Sequence, residues 1–281
     1  MVLRRSPRAA RGGSRRRTAA LAAVAVSLVC LGTLSGAHAA PGGGTSGQST
    51  IPPAKGGTDS GVLIEGENTV VKAKMRVVLS DFELRVYANE AFSVNNGVLT
   101  SRSRGWVIPN PGPHPLFGAF PVTHSKVLGF GAIPITADLY LSQYTHNGVI
   151  SPLFIDTQTL VSPPFTTKPT IVHGPLVLRI ANVKVDEVPL NVGPNCHSIR
   201  PIALRLVGTA PAYNLFTGGP LRGKVTIPPF AGCGTNGDDL DPLLTGTISG
   251  PGNPVIQHQG NLGAWDPSKP NDCRGCLPPK G

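Results

Sequence analysis

The cysteines come first among the residues that could do chemistry. They stand at 30, 196, 233, 273 and 276. Cys273-Arg274-Gly275-Cys276 has the spacing of a redox CxxC, but that motif opens a helix in a βαβ setting. Here Pro270, Pro278 and Pro279 surround it. A zinc site would need a second close pair, and there is none. A structural role remains. Cys30 lies in an N-terminal leader, so Cys196, Cys233, Cys273 and Cys276 form an even set that permits two disulfides in any of three connectivities. We expect Cys196–Cys233, closing a loop around two strands, and Cys273–Cys276 in a Pro/Gly-rich tail.

Histidines and carboxylates are scattered. His114, His124, His146, His173, His197 and His258 follow the leader, with no i, i+4 pair and no HExxH, so a helical zinc site is absent. His114 and His124 flank a Phe-containing loop and could converge with a third ligand, although surface histidines are the simpler reading. Glu65 and Glu67, Asp186 and Glu187, and Asp238, Asp239 and Asp241 are the local carboxylate groups. Glycosidase carboxylates need only meet in space, so spacing does not decide for or against them. A sugar cleft usually adds aromatics, and this chain is 5% aromatic with two Trp. Asn236–Asp241 offers oxygens for Ca²⁺, but it lacks the alternating acids and distal Glu of an EF-hand loop. Asp238 or Asp239 capping a short helix is the better reading. No GxSxG, phosphate loop or dinucleotide fingerprint occurs. The sequence therefore offers no catalytic residue, no cofactor-binding residue and no metal ligand set.

The elements that must position these residues are strands. Gly and Pro number 35 and 29, too many for a mainly helical protein. Residues 69–79 are rich in β-branched side chains, and Phe82–Tyr87 alternates apolar with charged, a period that puts one face in a core and the other in water. Asn95-Asn96-Gly97 marks a turn between 92–94 and 98–100. Trp106-Val107-Ile108 runs into a Pro-rich loop. Residues 127–141 read as one or two strands with Pro134 at an edge or bulge. Residues 151–168, with Pro152, Pro163 and Pro164, read as a loop-rich crossover. Strands follow at 176–180, at 183–185 and 188–192 as a hairpin about Asp186-Glu187, at 202–207 and 223–227 as a pair, and at 244–248. A single helical turn is expected within 238–244. Nine or ten short strands with frequent turn signals imply an all-β fold, a sandwich or barrel-like domain of short antiparallel strands with long Pro/Gly loops.

The leader fixes the expected compartment. Seven Arg fall in the first 17 residues without an acid, an apolar stretch covers 19–34, and Ala37-His38-Ala39 follows. This is the pattern of a cleaved secretory signal, with cleavage after Ala39 so that the mature chain begins at Ala40. Cys30 follows Val29 in mid-run, which is wrong for a lipoprotein. Ser14-Arg15-Arg16-Arg17 lacks the apolar residue a twin-Arg signal needs, so general secretion is favoured. No later stretch can span a bilayer as a helix, because 127–137 is cut by Gly129, Gly131 and Pro134. The formal charge is +10, but outside the leader's seven Arg only 18 basic residues face 15 acidic ones. That balance argues against nucleic acid as a partner. The organisation read from sequence is a signal peptide over 1–39, a flexible Gly/Pro/Ser linker over 40–61, a β-rich domain over 62–265 and a Pro/Cys-containing tail over 266–281.

The stretch 183–253 carries Val183-Lys184-Val185-Asp186, Val188-Pro189-Leu190, Val192-Gly193-Pro194-Asn195-Cys196, Arg200-Pro201, Ile227-Pro228-Pro229-Phe230, Gly232-Cys233-Gly234, Asp239-Leu240-Asp241-Pro242-Leu243-Leu244-Thr245 and Ile248-Ser249-Gly250-Pro251-Gly252-Asn253. It resembles a recurring pattern in secreted β-rich proteins of actinomycete bacteria. The pattern tends to have Asp-Gly where this chain has Asp186-Glu187, and the tail departs from it. The resemblance implies export and a β-rich domain, and brings no activity with it. The sequence reading is an exported, non-enzymatic binding or structural protein of the cell surface or medium, with envelope glycan or lipid as the expected partner class. The alternatives are a secreted hydrolase of envelope carbohydrate or ester, and a carrier of an apolar ligand if a cavity lies between the sheets.

Overall fold

The computed structural model describes residues 51, 53, 55–109, 117–163 and 167–266, all of them within the compact unit Gly42–Gly281. The strands in chain order are β1 (Thr58–Val70), β2 (Met75–Asn95), β3 (Val98–Ile108), β4 (Thr123–Gly129), β5 (Ile133–Gln143), β6 (Thr145–His146), β7 (Val149–Ile150), β8 (Leu153–Leu160), β9 (Thr170–Val185), β10 (Val188–Leu190), β11 (His197–Ser198), β12 (Ile202–Gly208), β13 (Gly219–Ile227), β14 (Phe230–Ala231), β15 (Gly250–Gln259) and β16 (Gly263–Ala264). One helix, α1 (Asp241–Ile248), interrupts them. The fold is all-β and antiparallel, as the strand-and-turn rhythm implies.

Eight strands close a ring in the order β12-β13-β15-β1-β2-β3-β8-β9, with β9 returning to β12. The period of two decides what fills it. Phe82, Leu84, Val86 and Ala88 of β2 point inward with Val62, Ile64, Val107, Leu153, Ile155 and Leu206. Glu83 and Arg85 lie on the other face, where Arg85 pairs with Asp59 at 2.9 Å and stacks on Trp265. Closure requires bending, and the ladder slips at Ile64/Gly66, Tyr87/Ala91 and Val225/Ile227, since a bulge turns a strand. Close approach explains Gly223, where a Cβ would lie 2.1 Å from the Arg205 carbonyl of the neighbouring strand.

β9 is longer than the ring needs. Its first half, Thr170–Leu176, pairs with β12, and its second half, Leu176–Val185, pairs with β5. The β4–β5 and β9–β10 hairpins therefore form a sheet that continues beyond the barrel. A second core of Val70, Ala73, Val77, Ile180, Val183, Val192, Ile227, Phe230 and Leu244 gathers there around Cys196 and Cys233.

The structure corrects several segments. Residues 153–160, expected within a loop-rich crossover, form β8 and complete the ring. Its inward face changes from Leu153 and Ile155 to Thr157 and Thr159, so the apolar alternation stops halfway. Residues 244–248, expected as a strand, belong to α1, where Pro242 occupies the first turn with Asp241, positions that favour helix initiation. The closing strand is β15, hidden in sequence by Pro251, Gly252 and Pro254 and by inward amides. Those amides are paired: Asn253 Oδ1 accepts from the Val71 N–H at 2.9 Å, and Gln259 Nε2 donates to the Leu215 carbonyl at 2.7 Å. The first strand begins at Thr58, inside the stretch read as linker, and several separate segments merge into the long β2 and β9. The 183–192 hairpin forms as expected, with Asp186 and Glu187 both at positive φ, 49° and 62°. A two-residue turn of the I′ type requires this at both positions.

Candidate functional site

A largely apolar space lies where the second half of β9 leaves the ring. A pocket of about 420 Å³ opens there, within the roughly 300–1,000 Å³ of ligand sites. β5 supplies Ile135, Ala137 and Leu139 to its wall, and β4 supplies Ser125 and Val127. β9 contributes Leu178, Ile180, Val183 and Val185. Val70, Ala73, Met75 and Val77, around the β1–β2 turn, form one side, and Leu243, Leu244, Thr247 and Ile248 of α1 another. Phe130 and Ile133 stand at the β4–β5 turn, half exposed. No charged side chain lines the pocket, and Ser125 and Thr247 are its polar residues. The Thr247 hydroxyl donates to the Leu243 carbonyl at 2.8 Å, so it is engaged within the helix. The arrangement offers a ligand dispersion contacts and removal from water, worth about 0.8 kcal/mol per buried methylene, with no group suited to proton transfer.

The pocket is held by its surroundings. Cys196 and Cys233 are bonded, 37 residues apart in sequence, and both are buried in the second core. β11 and β14 pair with His197 opposite Ala231, which brings the flanking thiols together. The pairing is the one expected, but its immediate cause is this two-residue ladder and not the outer ends of β12 and β13. Asp241 ties α1 to the same place, because its carboxylate accepts from the Gly232 and Cys233 N–H groups at 3.2 and 2.7 Å. Asp239 Oδ1 accepts from the Asp241 N–H at 3.0 Å. The N-cap residue of α1 is Leu240, without a side-chain capping bond. The cap expected from Asp238 or Asp239 therefore does not form, and the helix start is held instead by Asp239 on the Asp241 N–H and by Asp241 on residues 232 and 233. Cys273, Cys276, His114, Ala37, Ala39 and Ala40 lie outside the described residues.

The remaining candidates are dispersed over other surfaces. His124 Nδ1 lies 2.6 Å from Asp138, which also accepts from Asn182 Nδ2 at 2.6 Å. The Asn182 and His124 bonds hold the Asp138 carboxyl below its usual range. Asp156 binds Arg102 at 2.7 Å and His173 at 3.1 Å. The Arg102 bond lowers its pKa against the opposing effect of burial. Among the described residues, no group of three His, Cys, Asp or Glu is placed to hold a metal ion. Glu65, Glu67, Asp81, Arg222 and His258 share an outer groove of about 430 Å³. Glu67 there is ion-paired with Arg76. A third space, about 490 Å³, lies at the barrel mouth, with Ser101, Thr157, Thr159 and Thr170 inside and Phe92 and Phe216 at the rim. Its polar groups are partly committed, since Ser101 Oγ donates to Asn89 Oδ1 at 2.6 Å and the Tyr213 hydroxyl donates to Gln259 at 2.7 Å.

The apolar pocket escaped the sequence reading because its walls come from five separated segments, each of which reads as ordinary core. One signal was present. The turn Leu128-Gly129-Phe130-Gly131-Ala132-Ile133-Pro134 is apolar where turns are normally polar. Comparison with family models, with curated proteins and with solved structures finds no match to this chain. Among the described residues, no helix is long and apolar enough to cross a membrane.

Proposed function

We propose that this is an exported, non-enzymatic binding protein that takes an apolar, chain-like ligand, the acyl portion of an envelope lipid, into the pocket beside the barrel. The observation that carries the proposal is a cavity of about 420 Å³ whose lining includes no charged side chain. Such a lining cannot repay the desolvation of a sugar hydroxyl or a phosphate, whereas a hydrocarbon chain loses nothing on entering it. Export is supported by the Arg-rich leader, its apolar run and the Ala37-His38-Ala39 site. A disulfide in the second core fits an oxidising compartment.

The test is a titration of the vesicle-free protein with a fluorescent long-chain fatty acid, followed by competition with unlabelled acyl chains. Saturable binding is expected, and Ala137→Phe, which projects a ring into the cavity, should weaken it at least tenfold without loss of fold by circular dichroism. Absence of saturable binding, or binding indifferent to Ala137→Phe, overturns the reading. Saturating turnover of an acyl ester by the purified protein would overturn its non-enzymatic part.

A further inference from the structure

Three turns meet at the mouth of the pocket. The Phe130 N–H, in the β4–β5 turn, donates to the Ala73 carbonyl in the β1–β2 turn at 2.6 Å, and the Asp186 N–H, in the β9–β10 turn, donates to the Pro134 carbonyl at 2.8 Å. Of the thirteen large hydrophobic residues exposed among the described residues, six cluster here: Val71, Leu128, Phe130, Ile133, Val188 and Leu243. Leu128 and Val188 are 56% and 66% exposed, and neither lines the pocket, so their exposure is not explained by ligand contact. Residues 128–134 contain no polar side chain. A concentration of exposed apolar residues of this kind marks an interaction surface.

The charges say which surface it meets. The turns and the strand ends framing them carry Lys72, Lys74, Lys126 and Lys184 against Asp186 and Glu187. Glu187 stands 4.0 Å from Lys184, and Arg76 nearby is neutralised by Glu67. The three turns are therefore apolar at their tips and net basic around them, the composition that seats a protein in the headgroup region of an anionic bilayer. A second copy would bring like charges together. The ligand class agrees, because acyl chains are scarce as monomers in water and must be collected where they reside. We infer that the β1–β2, β4–β5 and β9–β10 turns form a docking collar that inserts shallowly into an anionic lipid surface and presents the pocket mouth to it. The inference rests on the acyl-ligand reading.

The test places one tryptophan in the full chain, either Leu128→Trp in the collar or Val94→Trp, also exposed, at the other end of β2. Vesicles of phosphatidylcholine with and without phosphatidylglycerol are added, and the wild-type spectrum is subtracted. Any attachment through the leader would affect both variants alike. Emission from Leu128→Trp should shift to the blue and be quenched by brominated lipid, with phosphatidylglycerol present, while Val94→Trp stays unchanged. Adding Lys72→Gln and Lys74→Gln should raise the lipid needed for half-maximal shift on the order of tenfold. A shift at both positions, at neither, or equally on pure phosphatidylcholine overturns the inference. The fatty-acid titration without vesicles separates the two readings. Saturable acyl binding with no shift at position 128 rejects docking alone. A shift at 128 with no acyl binding supports docking and rejects the ligand reading, and failure of both measurements rejects both.

Discussion

Cys196 and Cys233 are bonded within the second core, among Val183, Val192, Ile227 and Phe230. Their bond spans 37 residues, and in the chain-entropy model a loop of that size stabilises by about 3–4 kcal/mol. Cys196→Ser or Cys233→Ser should lower the melting temperature by roughly 10 °C, measured by calorimetry under non-reducing conditions, whereas Cys273→Ser should leave it unchanged. Glu83 works in the opposite sense. It stands on the outer face of β2, with a buried Oε2 that accepts no hydrogen bond, and burial pushes its pKa up. A carboxyl whose folded pKa is raised favours folding in its protonated form, an advantage present below the unfolded value near 4.3 and lost as pH rises through the folded value. Glu83→Gln should therefore raise the melting temperature at pH 7–8 and make no difference at pH 3–4. A gain that is the same at both ends of this range would show that desolvation is not what burdens Glu83.

At the scale of elements, α1 joins the disulfide to the pocket. Its first residue, Asp241, accepts the N–H groups of Gly232 and Cys233, and its Leu243, Leu244, Thr247 and Ile248 face the cavity. Asp241→Ala leaves two amides without their partner, at a cost of about 1–3 kcal/mol. It should lower the melting temperature and weaken fatty-acid binding together, while Asp238→Ala affects neither. The same elements show why some of the fold was readable and some was not. Phe82–Tyr87 alternates cleanly because one face meets a dry core and the other meets water. The Asp186-Glu187 hairpin was legible from turn chemistry, and the Cys196–Cys233 bond from the two strands expected between its thiols, since cysteine parity alone leaves three connectivities open. β8 and β15 were not, because their inward faces carry Thr157, Thr159, Asn253, Gln257 and Gln259, polar groups that the barrel interior accommodates only once the partners for them are in place. The start of α1 falls within the helical turn expected over 238–244, but its extent is hidden because Leu244-Thr245-Gly246-Thr247-Ile248 alternates like a strand. The pocket depends on the encounter of several such elements, and no local pattern encodes an empty space.

At the scale of the molecule, the ring is closed by strands from opposite ends of the described chain. β1 pairs with β15 from Ile64↔Gln259 to Asn68↔Val255, and with β16 at Ser60↔Ala264. The seam has a kinetic consequence. β1 has no second neighbour until residues 250–264 are available, so the barrel cannot complete itself progressively as a chain is extended. Contacts of such sequence separation make folding slow, because the entropy of loop closure must be met before the contacts reward it. A chain that stays open until its last strands arrive remains extended longer, which suits the export proposed above. Since Ser60 and Ala264 are already partners, a circular permutant joining this seam by a short linker and opened at the exposed Asn96-Gly97 turn should keep the barrel and refold faster in stopped-flow measurements. An unchanged refolding rate would place the barrier elsewhere, in the assembly of β8 and β9 rather than in the meeting of the chain's two ends.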